Sequence, residues 1–143
     1  MPSPIGNFFI KMIVNSPLHG LLGDSFAVIT LTGRKSGRRF STPINVKADE
    51  GGWTVVSSRE RTWWRNLRQG RTALLRVRGK QAAVQGEIIE EPGAVQAGLA
   101  DYFHRYPAYA RYFDVPTGAD GQPDPAALER VAHERVIIRL YPA

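Results

Sequence analysis

The feature that most constrains the fold is how little sequence separates the segments that are typical of β-strands. Six segments have the length and composition of strands: about 25–32, 41–48, 53–58, 72–78, 81–90 and 136–140. Most connections between them are too short to hold the helix that a parallel crossover needs. The sequence therefore predicts a mainly β, α+β protein whose antiparallel strands form a closed or split barrel.

Helical segments are expected to flank these strands. Trp63–Gln69 is predicted to be a short helix with Thr62 as its N-cap. Pro92 opens a longer helix whose apolar residues recur at helical spacing, and Pro107 starts a short helix at the first-turn position that proline tolerates. A loop over 117–125 and a helical turn over 126–133 lead to the last strand.

An N-terminal helical segment, residues 1–24, is expected to precede a barrel of residues 25–143 within a single domain. A helix is predicted near Ile5–Val14, because its apolar residues fall on one helical face. The segment has no basic leader or cleavage site, and it is too short to span a bilayer. Packing on the core is the favoured interpretation. The alternative is peripheral contact with a membrane, where the substrate would be lipophilic.

Positive charge is concentrated in the first half of the chain. Residues 1–80 hold 14 Lys and Arg against 4 Asp and Glu, whereas residues 81–143 hold 5 against 9. An anionic partner is therefore expected to bind through the first half. Cys is absent, which excludes disulfides and thiolate metal sites, and the three His are scattered, so no metal site is predicted.

Four cations lie in the seven residues Gly33–Arg39, here called the basic turn, between the first two predicted strands. Glycines allow backbone amides to approach a ligand closely, and the Arg and Lys side chains would surround that approach. The turn lacks the ending of a Walker loop, and no helix follows it as in a dinucleotide fingerprint. One or two cations would suffice for a solvated tip, so binding of a phosphate or carboxylate is the better interpretation.

Two other segments are candidates for contact with a ligand. Trp64 could stack on a flat ring, although a place in the core is about as plausible, and Asn66 could fix a turn or a neighbouring strand. Ser57 and Ser58 end the third predicted strand, where serines usually cap or make turns. They could instead donate to a carbonyl or ring nitrogen of a ligand.

Tyr106, Tyr109 and Tyr112 are spaced three residues apart. This spacing predicts a slowly drifting stripe on one helix. Aromatic packing in the core is the ordinary interpretation of such a stripe. The alternative is that three neighbouring phenols line a pocket and donate hydrogen bonds or a proton.

Together these motifs resemble the deazaflavin-dependent nitroreductase family, a branch of the flavin/deazaflavin oxidoreductases. The matching pattern is Leu31-Thr-Gly-Arg-Lys-Ser-Gly37, Thr42-Pro43, Val55-Val56-Ser57-Ser58, Trp63-Trp64-Arg65-Asn66-Leu67 and Tyr106-Pro-Ala-Tyr109-Ala-Arg-Tyr112. The resemblance covers roughly residue 26 to the C-terminus. It implies a split β-barrel like that of FMN-binding proteins, with flanking helices. It also implies hydride transfer from reduced coenzyme F420 to a nitro compound, quinone or other activated acceptor.

The resemblance further implies roles for individual residues. The phosphate and acidic tail of F420 would lie on the basic turn, and the following strand would back the ring system. The cofactor-binding residues implied in this way are Arg34, Lys35, Ser36, Gly37, Arg39, Thr42, Pro43, Ile44, Ser57, Ser58 and Trp64. Tyr109, with Ser58, would orient or protonate the acceptor, and Tyr106 and Tyr112 would wall the pocket.

Two differences from the family leave other ligands open. Family members usually carry a basic residue where Phe40 stands, and the segment between Ser58 and Trp63 is shorter and lacks a glycine-rich clamp. Arg59 and Arg61 could supply compensating cations. The alternatives are FMN as the cofactor, or a non-catalytic barrel that carries a fatty acid, haem or a flavin.

The expected partner is a small-molecule acceptor. A nucleic-acid-binding barrel is the weakest alternative, because no continuous basic and aromatic stripe is visible. The chain is expected to be a cytoplasmic monomer or homodimer, with membrane association as the alternative stated above.

Overall fold

The computed structural model describes residues 26–49 and 51–143. Seven strands form one sheet in this part of the chain: β1 Phe26–Thr32, β2 Arg39–Asn45, β3 Lys47–Asp49, β4 Gly52–Ser58, β5 Ala73–Val77, β6 Lys80–Ile89 and β7 Arg135–Pro142. A 3-10 helix, Trp63–Gly70, lies between β4 and β5 in the sequence. Three helices lie between β6 and β7: α1 Pro92–Arg105, α2 Pro107–Tyr112 and α3 Pro125–Glu134.

The predicted N-terminal helix near Ile5–Val14 lies outside the described residues, as does the start of the first predicted strand at Ser25. The separate segment 1–24 and its contact with a membrane therefore stay predictions. Within residues 26–49 and 51–143, no helix is long and apolar enough to cross a membrane.

The strand order explains how the sheet curves. It runs β2-β1-β5-β6-β7-β4-β3, so β2 and β3 are at opposite ends although only Val46 separates them in sequence. The chain at Val46 therefore joins the two edges of the sheet. The prediction of one strand over 41–48 was wrong at this point, because the segment changes its partner from β1 to β4. Alternation of side chains does not reveal such a change, since both pieces stay extended.

The strands follow the alternation expected from the sequence. In β1, Ala27, Ile29 and Leu31 are buried and the residues between them are half-exposed. β1 pairs antiparallel with β2 and β5, as do β3 with β4 and β5 with β6. Pro43 of β2 lies opposite Val28 of β1. Because β2 is the terminal strand of the order, a missing N–H is tolerated there.

The 3-10 helix differs from the ordinary helix expected over Trp63–Gln69. Thr62 precedes it as predicted, but its side chain makes no capping hydrogen bond. Arg68 and Gln69 have non-helical backbone angles, so the helical turn is interrupted before Gly70. Trp63 and Leu67 are buried, and this segment packs against β1.

The described chain divides into two compact units. The sheet unit comprises residues 26–49, 51–56, Thr62–Ile88 and Ile138–Ala143. The helical unit comprises Ser57–Arg61 and Ile89–Ile137. In the helical unit α1 packs on α2 and α3 around a core formed by Val95, Leu99, Phe103, Leu128 and Val131.

Two helices of the helical unit, α1 and α3, begin with an acidic cap, and α3 is a full helix where only a helical turn over 126–133 was predicted. The Glu91 carboxylate accepts hydrogen bonds from the backbone N–H groups of Gly93 and Ala94 at 2.9 and 2.7 Å, which lowers the pKa of Glu91. Asp124 caps α3 through a 3.0 Å bond from Ala127 N. A proline follows each cap at the first helical position.

Candidate functional site

The basic turn is closed by its own hydrogen bonds. Gly33 N donates to Arg38 O at 2.8 Å, and Gly37 N donates to Gly33 O at 2.9 Å. Gly37 has a φ of 70°, and a Cβ on Gly33 would lie 2.6 Å from Ser36 Oγ. The two glycines therefore set the shape of the turn, and their amides are already used. Amides that could meet a ligand must therefore come from other residues of the turn.

Asn66 fixes the turn to the 3-10 helix. Its Oδ1 accepts from Arg34 N at 2.8 Å, and its Nδ2 donates to Trp63 O at 3.0 Å. The side chain is only 8% exposed. A buried amide that is bonded at both ends holds one orientation. Of the two roles predicted for Asn66, the structure confirms that it fixes a turn.

The tip of the turn retains two backbone amides that can bind a ligand. Arg34 N is bonded to Asn66, and Arg38 N donates to Ser36 Oγ at 3.2 Å. Within the described ranges, the N–H groups of Lys35 and Ser36 have no acceptor. Consecutive free amides in a tight turn form a concavity that suits an anion.

The four cations of the basic turn are exposed. None of them forms an ion pair with an acidic side chain in the part of the chain that the structure describes: Arg34, Lys35, Arg38 and Arg39. Arg39 begins β2 opposite Thr32, and Phe40, 37% exposed, follows it opposite Leu31. Cations without a carboxylate partner, beside free amides, favour a phosphate or carboxylate ligand.

Three residues implied in cofactor binding continue along β2. Thr42 and Pro43 are half-exposed, so their side chains are accessible to a ligand. Ile44 is only 6% exposed, and its side chain belongs to the core. Ile44 can therefore offer a ligand little more than its backbone.

Trp64 is placed in the core of the sheet unit. Its ring is only 1% exposed. The guanidinium carbons of Arg65 and Arg68 lie 5.3 and 5.5 Å from the centre of the ring. Of the two roles considered for Trp64, the structure favours core packing over stacking on a cofactor ring.

The helical unit brings three tyrosines together, here called the tyrosine cluster: Tyr102, Tyr106 and Tyr109. The ring of Tyr102 lies 5.3 Å from that of Tyr106 and 5.9 Å from that of Tyr109, and the last two are 6.4 Å apart. Tyr109 is 6% exposed, and Tyr106 is half-exposed. Neighbouring phenols of this kind can donate hydrogen bonds or a proton.

The predicted stripe of Tyr106, Tyr109 and Tyr112 on one helix was wrong. Tyr106 lies at the break between α1 and α2 with a φ of −130°, because Pro107 starts a new helix. Tyr112 is 48% exposed, and its ring packs 5.2 Å from that of Phe113 rather than on the cluster. Tyr112 instead lines a cavity of about 260 Å³ in the helical unit.

Tyr102 was missed at the sequence level. It stands four residues before Tyr106, and this spacing on a helix was the signal that could have found it. Tyr102 is 5% exposed. Its burial, and then the nearby phenols of Tyr109 and Tyr106, raise its pKa well above the usual value, so it stays protonated.

Ser57 and Ser58 end β4 as predicted, but they differ in accessibility. Ser57 is 4% exposed, and its hydroxyl donates to the carbonyl oxygen of Ser58 at 3.2 Å. Ser58 is half-exposed. Ser58 is therefore the better placed of the two for contact with a ligand.

Arg59, which could supply a compensating cation to a ligand, makes hydrogen bonds within the protein instead. Its Nη2 donates to the carbonyl oxygens of Glu90, Ala132 and Arg135 at 2.8, 3.2 and 2.9 Å. Its Nε donates to His133 O at 3.2 Å. The guanidinium thus caps the carbonyl end of α3, where a positive charge is favourable. The donors on Nε and Nη2 are therefore used within the helical unit.

Among residues 26–49 and 51–143, no group of three His, Asp or Glu side chains is arranged to hold a metal ion. Arg61, the other proposed compensating cation, is exposed, and its role stays a prediction.

Comparisons with known proteins support the fold. A pyridoxamine 5'-phosphate oxidase-related, FMN-binding protein from Nostoc punctiforme is 10% identical, with 98% of this chain and 81% of that protein covered and a TM-score of 0.54. A conserved hypothetical protein from Mycobacterium tuberculosis is 15% identical, with 89% of this chain and 80% of that protein covered and a TM-score of 0.53. A protein of unknown function from Agrobacterium tumefaciens is 15% identical, with 90% of this chain covered and a TM-score of 0.52. Only 56% of that protein is covered, so this chain spans little more than half of its length.

These similarities confirm the predicted fold, a mainly β half-barrel with flanking helices that matches FMN-binding split barrels. No curated protein matches the chain. The model of a protein family described as F420H(2)-dependent quinone reductase matches residues 14–117, which is more than half of the chain. This match confirms the family resemblance seen in the motifs. The chain therefore belongs to the F420H(2)-dependent quinone reductase family.

Proposed function

We propose that this protein uses reduced coenzyme F420 to transfer a hydride to a quinone or another activated acceptor. The observation that carries the proposal is the basic turn, which presents exposed cations and two free amides in a shape fixed by Asn66. F420 carries a phosphate and an acidic tail, the groups that such a turn suits. Membership of the family supports the same cofactor.

In this proposal the basic turn binds the phosphate and acidic tail of the cofactor, and β2 supports its ring system. Lys35 and Ser36 offer their amides to the phosphate, and the side chains of Arg34, Lys35 and Arg39 attract the acidic groups. Thr42, Pro43 and the backbone of Ile44 support the ring system. The deazaflavin supplies the redox chemistry when it is bound, and the protein supplies position and charge.

The acceptor needs a proton as well as the hydride. Reduction of a quinone to the hydroquinone adds two electrons and one proton as the hydride, and one further proton to an oxygen. Tyr109, with Ser58, is proposed to orient the acceptor and donate that proton, which the phenol then regains from water. Tyr106 packs against Tyr109 and walls the same region. Tyr112 lies outside the tyrosine cluster, and we leave it out of the proposed machinery.

A fluorescence titration of the purified protein with F420, run beside FMN, tests the cofactor. Lys35→Ala and Arg34→Ala are each expected to weaken F420 binding about tenfold, the loss of about 1.4 kcal/mol for a charge-assisted contact. Lys80→Ala is the matched control, since Lys80 is an exposed lysine in a different hairpin of the sheet. The Arg34 substitution leaves the backbone bond to Asn66 in place.

Three outcomes separate the alternatives. Binding of F420 that depends on Lys35 supports the proposal. Binding of FMN alone would retain an oxidoreductase but change its cofactor. Binding of neither would overturn the proposal and favour the carrier for a fatty acid or other lipid.

Oxidation of reduced F420 in the presence of menadione, a soluble naphthoquinone, tests the proton donor. Tyr109→Phe is expected to lower kcat about 100-fold, as for loss of a general acid. A Tyr109→Phe variant that reduced every acceptor at the parent rate would remove Tyr109 from this role.

A further inference from the structure

The Tyr102 hydroxyl is a polar group without an evident purpose inside the protein. The side chain is 5% exposed, and its ring touches those of Tyr106, Tyr109 and Phe103. Within the described residues its hydroxyl has no hydrogen-bond partner. Buried hydroxyls are usually bonded, so an exception needs an explanation.

Packing does not explain the hydroxyl. A phenylalanine would make the same ring contacts, so the ring packing does not require the hydroxyl. Two described polar side-chain atoms are fully enclosed and unbonded, Asn45 Oδ1 and Arg65 Nε, and the Tyr102 hydroxyl is not one of them. The hydroxyl is therefore not fully enclosed, and it has a donor available to a ligand.

The phenols around it give the hydroxyl a defined chemical character. Burial, and then the nearby phenols of Tyr109 and Tyr106, disfavour a negative charge on Tyr102, so the pKa of Tyr102 is raised. Arg105 acts in the opposite direction as the smallest of the causes. Tyr102 therefore remains a hydrogen-bond donor throughout the pH range in which an enzyme works.

We propose that the Tyr102 hydroxyl donates a hydrogen bond to an oxygen of the bound acceptor, as a further residue of the acceptor site beside Tyr106 and Tyr109. The identity of the acceptor as a quinone rests on the proposed function. The donor polarises the carbonyl that the hydride must reduce and also supplies affinity before any reaction takes place.

The test compares Tyr102→Phe with the parent by calorimetric titration of the cofactor-free protein with menadione. We expect affinity to fall five- to tenfold, the effect of one missing neutral hydrogen bond. Tyr141→Phe is the matched control, because the hydroxyl of that exposed tyrosine donates to Glu87 at 3.2 Å, in the sheet unit. Its affinity for menadione should equal that of the parent.

Thermal unfolding separates this role from a structural one. Removing an unpaired buried hydroxyl should leave Tm unchanged or raise it, whereas removing one that supports the fold would lower it. Weaker menadione binding together with an unchanged or higher Tm supports the proposal. Equal menadione affinity in Tyr102→Phe and the parent would overturn it.

Failure of the proposed function would give a different result. If the parent binds menadione through Tyr102 but never oxidises reduced F420, the donor is supported and the cofactor proposal falls. If menadione binds only to the protein that already holds F420, the KM for menadione is measured instead of the affinity. A KM in Tyr102→Phe equal to that of the parent would then overturn the proposal. Absence of both binding and turnover in the parent overturns it as well.

Discussion

Cations follow the end of a strand in two regions of this protein, but the hydrogen bonding of the cations differs between the two. The cations of the basic turn are exposed and have no acidic partner in the described residues, while the backbone beneath them is fixed by Asn66. Arg59 is also an arginine beside a strand end, but its guanidinium donates to four carbonyl oxygens around the end of α3. The first set is available to a ligand, and the second stabilises a helix terminus.

The difference lies in where the hydrogen bonds go rather than in the number of charges. An arginine whose donors are satisfied by carbonyls adds little to ligand binding, but its loss leaves partly buried oxygens unpaired. An exposed cation without a partner contributes little to folding and retains its full charge for a ligand. Substitutions in the two regions should therefore separate stability from binding.

The largest effect on stability is expected from Arg59→Gln. Four carbonyl contacts at 2.8 to 3.2 Å are lost or weakened, so the free energy of unfolding should fall by about 2–4 kcal/mol, the cost of unpaired carbonyls together with a charged donor. F420 affinity of the folded protein should stay within twofold of the parent. Urea unfolding and the fluorescence titration measure the two quantities.

Arg139→Gln is the control for this experiment, because Arg139 is an exposed arginine of β7, and its replacement should change stability by less than about 0.5 kcal/mol. A tenfold loss of F420 affinity in Arg59→Gln at unchanged stability would reverse the assignment of the two regions.

Asn66→Ala should affect both stability and binding. It removes the acceptor of Arg34 N and the donor to Trp63 O, so we expect a loss of about 1–3 kcal/mol in unfolding free energy. The amides of the turn would no longer be held in place, and F420 affinity should fall about tenfold, or about 1.4 kcal/mol. Gln85→Ala is the control, since it removes another amide-to-backbone bond, Gln85 Nε2 to Gly70 O at 2.9 Å, on an exposed surface. If Asn66→Ala bound F420 as the parent does, preorganisation of the turn would not be needed.

Much of the strand pattern could be predicted from the sequence, because alternation and short turns are local properties. β1, β4 and the hairpin of β5 and β6 were found within one or two residues. The break at Val46 was not, since a change of partner strand leaves the local pattern intact.

For the candidate site, the sequence indicated the exposed cations but not the hydrogen bonds that shape the turn. The cations of the basic turn were evident, but the use of the Gly33 and Gly37 amides depends on how the turn closes. The bond from Arg34 to Asn66 joins residues 32 positions apart, which no local pattern reports. Tyr102 was not predicted, because the motif that was recognised is the three-residue spacing of Tyr106, Tyr109 and Tyr112. That spacing begins at the helix break before Pro107 and does not include the preceding helix.

Arg39→Gln tests the exposed cations singly. Because Arg39 has no ion-pair partner in the described chain, the unfolding free energy should change by less than about 0.5 kcal/mol. F420 affinity should fall about three- to fivefold at low salt, and the difference from the parent should shrink at about 0.5 M salt, where surface charges are screened. Titrations at two salt concentrations measure this, and a salt-independent difference would indicate a contact other than charge attraction.

The smallest effect is expected from Gly37→Asn. Gly37 has a φ of 70°, and no atom lies within 4 Å of a Cβ placed there. A side chain would therefore fit at this position, and the only constraint is the left-handed backbone conformation. Asn adopts that conformation readily, and the change in unfolding free energy should stay within about 0.5 kcal/mol with F420 affinity within twofold. Gly37→Val, whose branched side chain resists the same conformation, should lose about 1–2 kcal/mol and weaken binding as the turn distorts. Since the Gly37 amide already donates to Gly33 O, equal losses in both variants would mean that the ligand contacts the bare Cα of Gly37.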